Sequence, residues 1–114
     1  MTDEDTPILI MVTAGGRDDA ERLGEGLVVE HLAGCCSVVP MVHSFYYWEG
    51  LLKREHEALL LVKTVKSRAA AVADYVRKHH SYDVPEILEI SIDSGSPAYL
   101  RWLADEVAKP ASER

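Results

Sequence analysis

The segment Phe45-Tyr46-Tyr47-Trp48-Glu49-Gly50-Leu51 lies between two extended apolar stretches, Cys36 to Phe45 and Ala58 to Val65. Glu49-Gly50-Leu51 has the composition of a tight reversal, since Gly takes a positive φ without steric penalty. The two arms then make one hairpin of roughly fourteen residues a side, about 45 Å long at ~3.3 Å per residue. A compact domain of this size has a radius of gyration of only ~13 Å. The tip must therefore overhang its own domain. It carries four aromatic side chains in a chain that has few. An exposed aromatic ribbon invites aggregation unless something covers it. The simplest cover is further copies of the same chain, with Tyr46 and Trp48 as the anchoring side chains of a homo-oligomeric interface.

The rest of the chain frames that hairpin. Pro7 to Thr13 is apolar on both faces, the pattern of a central strand. Ala14-Gly15-Gly16 breaks it, and a helix is expected from about Asp18 to Leu32, with Ala20, Leu23, Leu27 and Val28 at helical spacing and Gly34 as its stop. The return arm, Ala58 to Val62, is again doubly apolar. Ser67 is placed to cap a second helix running to His80, with Ala69, Val72, Ala73 and Val76 as its inner stripe. Glu86 to Ile92 alternates, with Leu88, Ile90 and Ile92 on one face and Glu89 and Ser91 on the other. Ser96-Pro97 opens a last helix. The order is βαββαβ plus a C-terminal helix. Doubly apolar first and third strands belong in the sheet centre, and the second and fourth at its edges. That is an α+β, ferredoxin-like arrangement: a four-stranded antiparallel sheet with both connecting helices on one face. The C-terminal helix is too small to cover the other face alone, so self-association is expected there. One domain is expected over residues 1–114, folded over about 7–108, with flexible tails at 1–6 and 109–114.

Bulk composition narrows the function. A net charge of −7 argues against nucleic acid, which needs a basic footprint. No apolar run approaches the ~18 residues of a spanning helix, so no membrane partner is expected. The N-terminus Met1-Thr2-Asp3-Glu4-Asp5 is acidic and lacks a secretory pattern, so residence in the cytoplasm is expected. Cys35 and Cys36 are adjacent, point to opposite faces of a strand and read as reduced, packed thiols. No nucleophile motif, phosphate loop or acid/base pair stands out, and the chain reads as non-enzymatic. Gly15-Gly16, after a strand and before a helix, reads as a turn.

The metal candidate is His79-His80, since imidazole suits copper, zinc and nickel. Adjacent helical residues diverge by about 100°, so one ion takes both only where the helix has ended. Lys63, Tyr82 and Glu86 form a second constellation, a possible lining for a cleft between subunits that holds a small anion.

Several motifs resemble one family. Leu32-Ala33-Gly34-Cys35-Cys36 followed by Ser44-Phe45-Tyr46-Tyr47-Trp48-Glu49-Gly50 resembles the "LAAC…S-x-Y-x-W-x-G" signature of the CutA divalent-cation-tolerance family. Lys63-Thr64, His80-Ser81-Tyr82-Asp83-Val84-Pro85-Glu86-Ile87 and Tyr99-Leu100-Arg101-Trp102-Leu103 are similar to its "KT", "HPYEVPEI" and "YLxWL" segments. The resemblance implies a ferredoxin-like homotrimer, a likeness to PII-type signalling proteins, and a link to copper or other divalent-metal tolerance without a settled enzymatic activity. In members described as copper binders, the ligands are a first-strand Cys and two His. The His pair falls on His79 and His80, and the Cys position on Val12, which cannot ligate. The implied copper or divalent-cation binding is therefore weak, and no ion is needed for folding. The alternative reading is a PII-like module that holds a small metabolite between subunits.

Overall fold

A computed structural model describes residues 3–110. The expected flexibility of residues 1–2 and 111–114 lies outside the described residues. After a short 3-10 turn at Asp3–Asp5, the elements are β1 (Pro7–Ala14), α1 (Arg17–Val29), β2 (Cys35–Trp48), β3 (Leu51–Val65), α2 (Ala69–His79), β4 (Ile87–Ser91) and α3 (Pro97–Val107). The strands form one antiparallel sheet in the order β2-β3-β1-β4. This is the ferredoxin-like α+β arrangement, with the two doubly apolar strands inside. Among the described residues, no helix is long and apolar enough to cross a membrane.

Alternation on β1 and β3 sends Ile8, Ile10, Val12, Ala58, Leu60 and Val62 to one face. There they pack on Ala20, Leu23 and Leu27 of α1 and Val72 and Val76 of α2. Gly24 lets α1 come down onto the sheet: a Cβ there would lie 3.1 Å from Leu60 and 3.2 Å from Cys36. Leu9, Met11, Leu59 and Leu61 point the other way and are only half-buried. On that second face, α3 covers one end, with Tyr99 beside Cys35. Leu103 and Val107 of α3 are buried.

β4 fills out the open face. Leu88 and Ile90 pair with Met11 and Leu9, so its apolar side turns away from the helices. They remain 52% and 43% exposed. Glu89 and Ser91 lie on the helix side at the sheet edge, where Lys66 pairs with Glu89.

The hairpin reaches as far as its pattern implied. β2 and β3 pair from Cys35–Lys63 out to Trp48–Leu51, closed by Glu49 (φ 51) and Gly50 (φ 81). Positive φ at both central residues matches the two-residue reversal that suits twisted strands. The longest dimension of the molecule is 45 Å, about the length of the ribbon itself. Between Val39 and Val42 the register slips, so that Pro40 and Met41 together oppose Ala58. Pro40 has no N–H for the ladder, which favours such a bulge.

Three expected boundaries differ. α1 ends at Val29 rather than Leu32, because His31 takes a left-handed conformation (φ 58) and Leu32 and Ala33 donate their N–H groups back to the Leu27 carbonyl. Gly34 is therefore not the stop; it makes room for Leu103, whose Cδ1 a Cβ would meet at 2.5 Å. Ser67 is not a cap: it lies inside a 3-10 turn, Lys66–Arg68, and α2 begins at Ala69. His80 lies just past α2, with extended backbone (φ −82, ψ 146).

Candidate functional site

The end of α2 delivers the two adjacent histidines into different surroundings. His79, in the last helical turn, is exposed. Its Nδ1 lies 2.8 Å from the Tyr75 carbonyl, and its ring stacks on Tyr75 at 4.1 Å. An N–H must donate to that carbonyl, which leaves Nε2 as the open acceptor. His80 turns inward. Its Nδ1 accepts the Tyr82 N–H at 3.0 Å, so its Nε2 carries the proton and donates to the Thr13 carbonyl at 2.7 Å. Both of its nitrogens are occupied in tying the loop to β1. The structure thus does not bring His79 and His80 together as a chelating pair. Val12 is fully buried among the core residues under the helices. Among the described residues, no group of three or more His, Cys, Asp or Glu side chains is placed to hold a metal ion. His79 Nε2 is the one ring nitrogen of the pair free to meet a cation.

Tyr82 continues this loop. Its hydroxyl donates to Glu57 Oε2 at 2.9 Å. Glu57 is only 6% exposed, so this bond supports a carboxylate taken largely out of water. Burial, followed by the bond to Glu57, pushes the Tyr82 hydroxyl well above its ordinary value. Glu57 carried one local signal, a charge entering an apolar run, but its partner lies 25 residues away.

Lys63 lies on the open face with Cys35 and Ser37. Its ammonium donates to Ser37 Oγ at 2.7 Å and approaches Cys35 Sγ at 3.7 Å. It is six residues along β3 from Glu57, about 20 Å. Lys63 and Tyr82 therefore do not line one cleft within a single chain. Glu86 is exposed and precedes Ile87, which pairs with Val12; it belongs to the Tyr82 end of the sheet.

The ribbon carries different side chains on its two faces. Beyond the bulge, Tyr46, Trp48 and Leu51 share the face of Glu57, the open face. Trp48 is 50% exposed. His43, Phe45, Leu52, Arg54 and His56 occupy the helix side, with the Arg54 guanidinium 5.9 Å from the Phe45 ring centre. At the ribbon's base, a shallow cleft of ≈ 730 Å³ is bounded by Gly15 to Asp19, Pro40, Met41, His56 and Glu57. Met41 and His56 drew no notice in the sequence, because only the register brings them to one place.

Comparison with known proteins gives the kinship. The sequence model of the family described as "CutA1 divalent ion tolerance protein" matches residues 8–106. The chain is 40% identical over 96 residues to "Protein CutA homolog" of Xenopus laevis, covering 84% of this chain and 64% of that one. It is 35% identical over 98 residues to "Divalent-cation tolerance protein CutA" of Escherichia coli, covering 86% and 88%. The chain spans 54% of a rice chloroplastic relative, so frog and plant relatives are the longer proteins. Among solved structures, CutA1 from Oryza sativa superposes with a TM-score of 0.88 at 34% identity, covering 92% of this chain and 96% of that one. The periplasmic divalent cation tolerance protein CutA from Archaeoglobus fulgidus does so at 0.86 and 34%, covering 89% and 98%. With the sheet order, the hairpin and the loop motif in agreement, the chain belongs to the CutA1 divalent ion tolerance protein family.

Proposed function

We propose that this protein acts in divalent-metal response as a closed homotrimer without enzymatic activity, meeting cations such as copper weakly. One observation carries the assembly: the open face presents apolar side chains at both of its ends, Leu88 and Ile90 on the β4 edge and Tyr46, Trp48 and Leu51 at the ribbon tip, all exposed in the single chain. Patches of this kind mark interfaces. A ribbon that reaches over a neighbour's β4 edge makes a head-to-tail contact, and such contacts close into rings. Three is the number that the resemblance to the family implies. The weak cation contact follows from His79, which offers one nitrogen where a chelate needs two.

A second reading has its own observation. Among the described residues Lys63 has no ion-pair partner, and it lies on the face that a neighbour would cover. An ammonium there suits a small anion between subunits, with Tyr82 and Glu86 supplied from the next chain. Native mass spectrometry of protein purified without chelators separates these readings. Three subunits, with a copper content that falls by the weakly held ion in His79→Gln, is the expected result. A retained small anion favours the second reading, and a single subunit at micromolar concentration overturns the assembly.

A further inference from the structure

The helix side of the ribbon holds a pair of imidazoles that the reading above does not use. His43 and His56 are direct cross-strand partners. Their rings stack with centroids 4.5 Å apart and planes 18° apart. Both side chains are exposed. Directly opposed residues on one face of an antiparallel pair have Cβ atoms only ~4.5–5.5 Å apart. An ion held by two imidazoles needs each nitrogen at ~2.0–2.1 Å, hence the two nitrogens about 3 Å apart. Rings already stacked at 4.5 Å reach that spacing by side-chain rotation alone, with the backbone fixed by the ladder.

The surroundings favour a cation. His56 lines the cleft together with Met41, Glu57, Asp18 and Asp19. Met41 is itself exposed; a thioether in water at the rim of a cleft is a soft donor with little packing to do. Asp18 and Asp19 sit in the first turn of α1, paired with the surface arginines Arg17 and Arg22. Protonated imidazoles facing each other across strands repel, whereas an ion between them converts the same geometry into two bonds. Imidazole with thioether selects borderline and soft metals, and affinity rises to copper along the first-row series. We propose that His43 and His56 form a two-imidazole chelate for Cu(II), ahead of Ni(II) and Zn(II), with Met41 beside it and the α1 carboxylates as outer charge. The site lies on the opposite side of the ribbon from Tyr46 and Trp48, so assembly through that other face leaves it open. It uses neither His79 nor His80.

The test is calorimetry with Cu(II) alone in a non-chelating buffer, followed by electron paramagnetic resonance. One firmly held ion per chain is expected beside the weak contact at His79, with coupling to two imidazole nitrogens. His43→Gln and His56→Gln should each weaken binding at least about tenfold, the lower end of what even an outer-shell loss costs, and leave coupling to one nitrogen. His79→Gln should leave this site unchanged, which separates it from the weak contact proposed above. Copper should also raise the melting temperature of the parent and not of the double variant, because only paired strands hold the two rings together. Both positions are exposed, so the variants are expected to fold; far-UV circular dichroism checks this. Unchanged binding in both single variants, no Cu(II) binding by the parent, or loss only in His79→Gln overturns the site.

Discussion

Tyr82 secures the end of the sheet with two bonds. Its N–H fixes the ring of His80, and its hydroxyl is the donor to the nearly buried Glu57. Tyr82→Phe keeps the ring and removes that donor, leaving a carboxylate with most of its hydration gone. The expected loss is about 1–3 kcal/mol, read as a lower urea midpoint with an unchanged slope. Cys36 gives a pH dependence of definite sign. Burial, followed by the neighbouring Cys35, pushes its thiol from 9.0 to about 12. In the unfolded chain the thiol ionises as pH passes 9, while in the folded chain it keeps its proton until about 12. Full stability is therefore present below pH 9 and is lost as pH rises toward 12. Tyr82 and Tyr99, both raised first by burial, act in the same direction above pH 10. The denaturation midpoint should fall between about pH 8 and 10.5, and Cys36→Ala should reduce that fall. An equal fall in Cys36→Ala would remove Cys36 as a cause. At this scale the sequence was least informative: His80 and its acceptor Thr13 are 67 residues apart, and no local pattern links them.

Among the elements, the ribbon was the most legible, because Gly50 marks the reversal and the flanking runs share one strand period. Helix ends were less so. Gly34 and Ser67 have the right chemistry for a stop and a cap, but His31 turned the chain earlier and a 3-10 turn took the place of the cap. β4 shows the limit of alternation. The period of two tells which residues share a face, and says nothing of which face meets the helices. Leu88 and Ile90 went to the open one. The ribbon's expected role gives a direct test. Trp48→Ala should cost about 3–5 kcal/mol per subunit once the ring is covered in the assembly. Sedimentation should then show dissociation at concentrations where the parent holds together; an unchanged oligomer would remove Trp48 from the interface.

At the scale of the molecule, the layout of one helix-covered face and one open face followed from counting apolar faces against available helices. The candidate metal pair did not follow. Adjacency in sequence placed His79 and His80 together, while the chain's exit from α2 sent their rings apart. The cross-strand pair His43 and His56 becomes visible only with the register, which runs unbroken from the Glu49-Gly50 turn back to Val42 and shifts at Pro40 and Met41. Those two residues opposite Ala58 act as a phase inverter. Before them the odd-numbered side chains of β2 look toward the open face, and after them the even-numbered ones do. Deleting a single residue there, with the turn and β3 intact, would restore strict alternation along β2 without moving a side chain from one side of the ribbon to the other, because each residue's side is set by its partner on β3. The extra residue is thus slack between two fixed anchors, the Cys35–Lys63 pair at the base and the Glu49-Gly50 turn at the tip, and the sorting of imidazoles from tryptophan is decided at the turn.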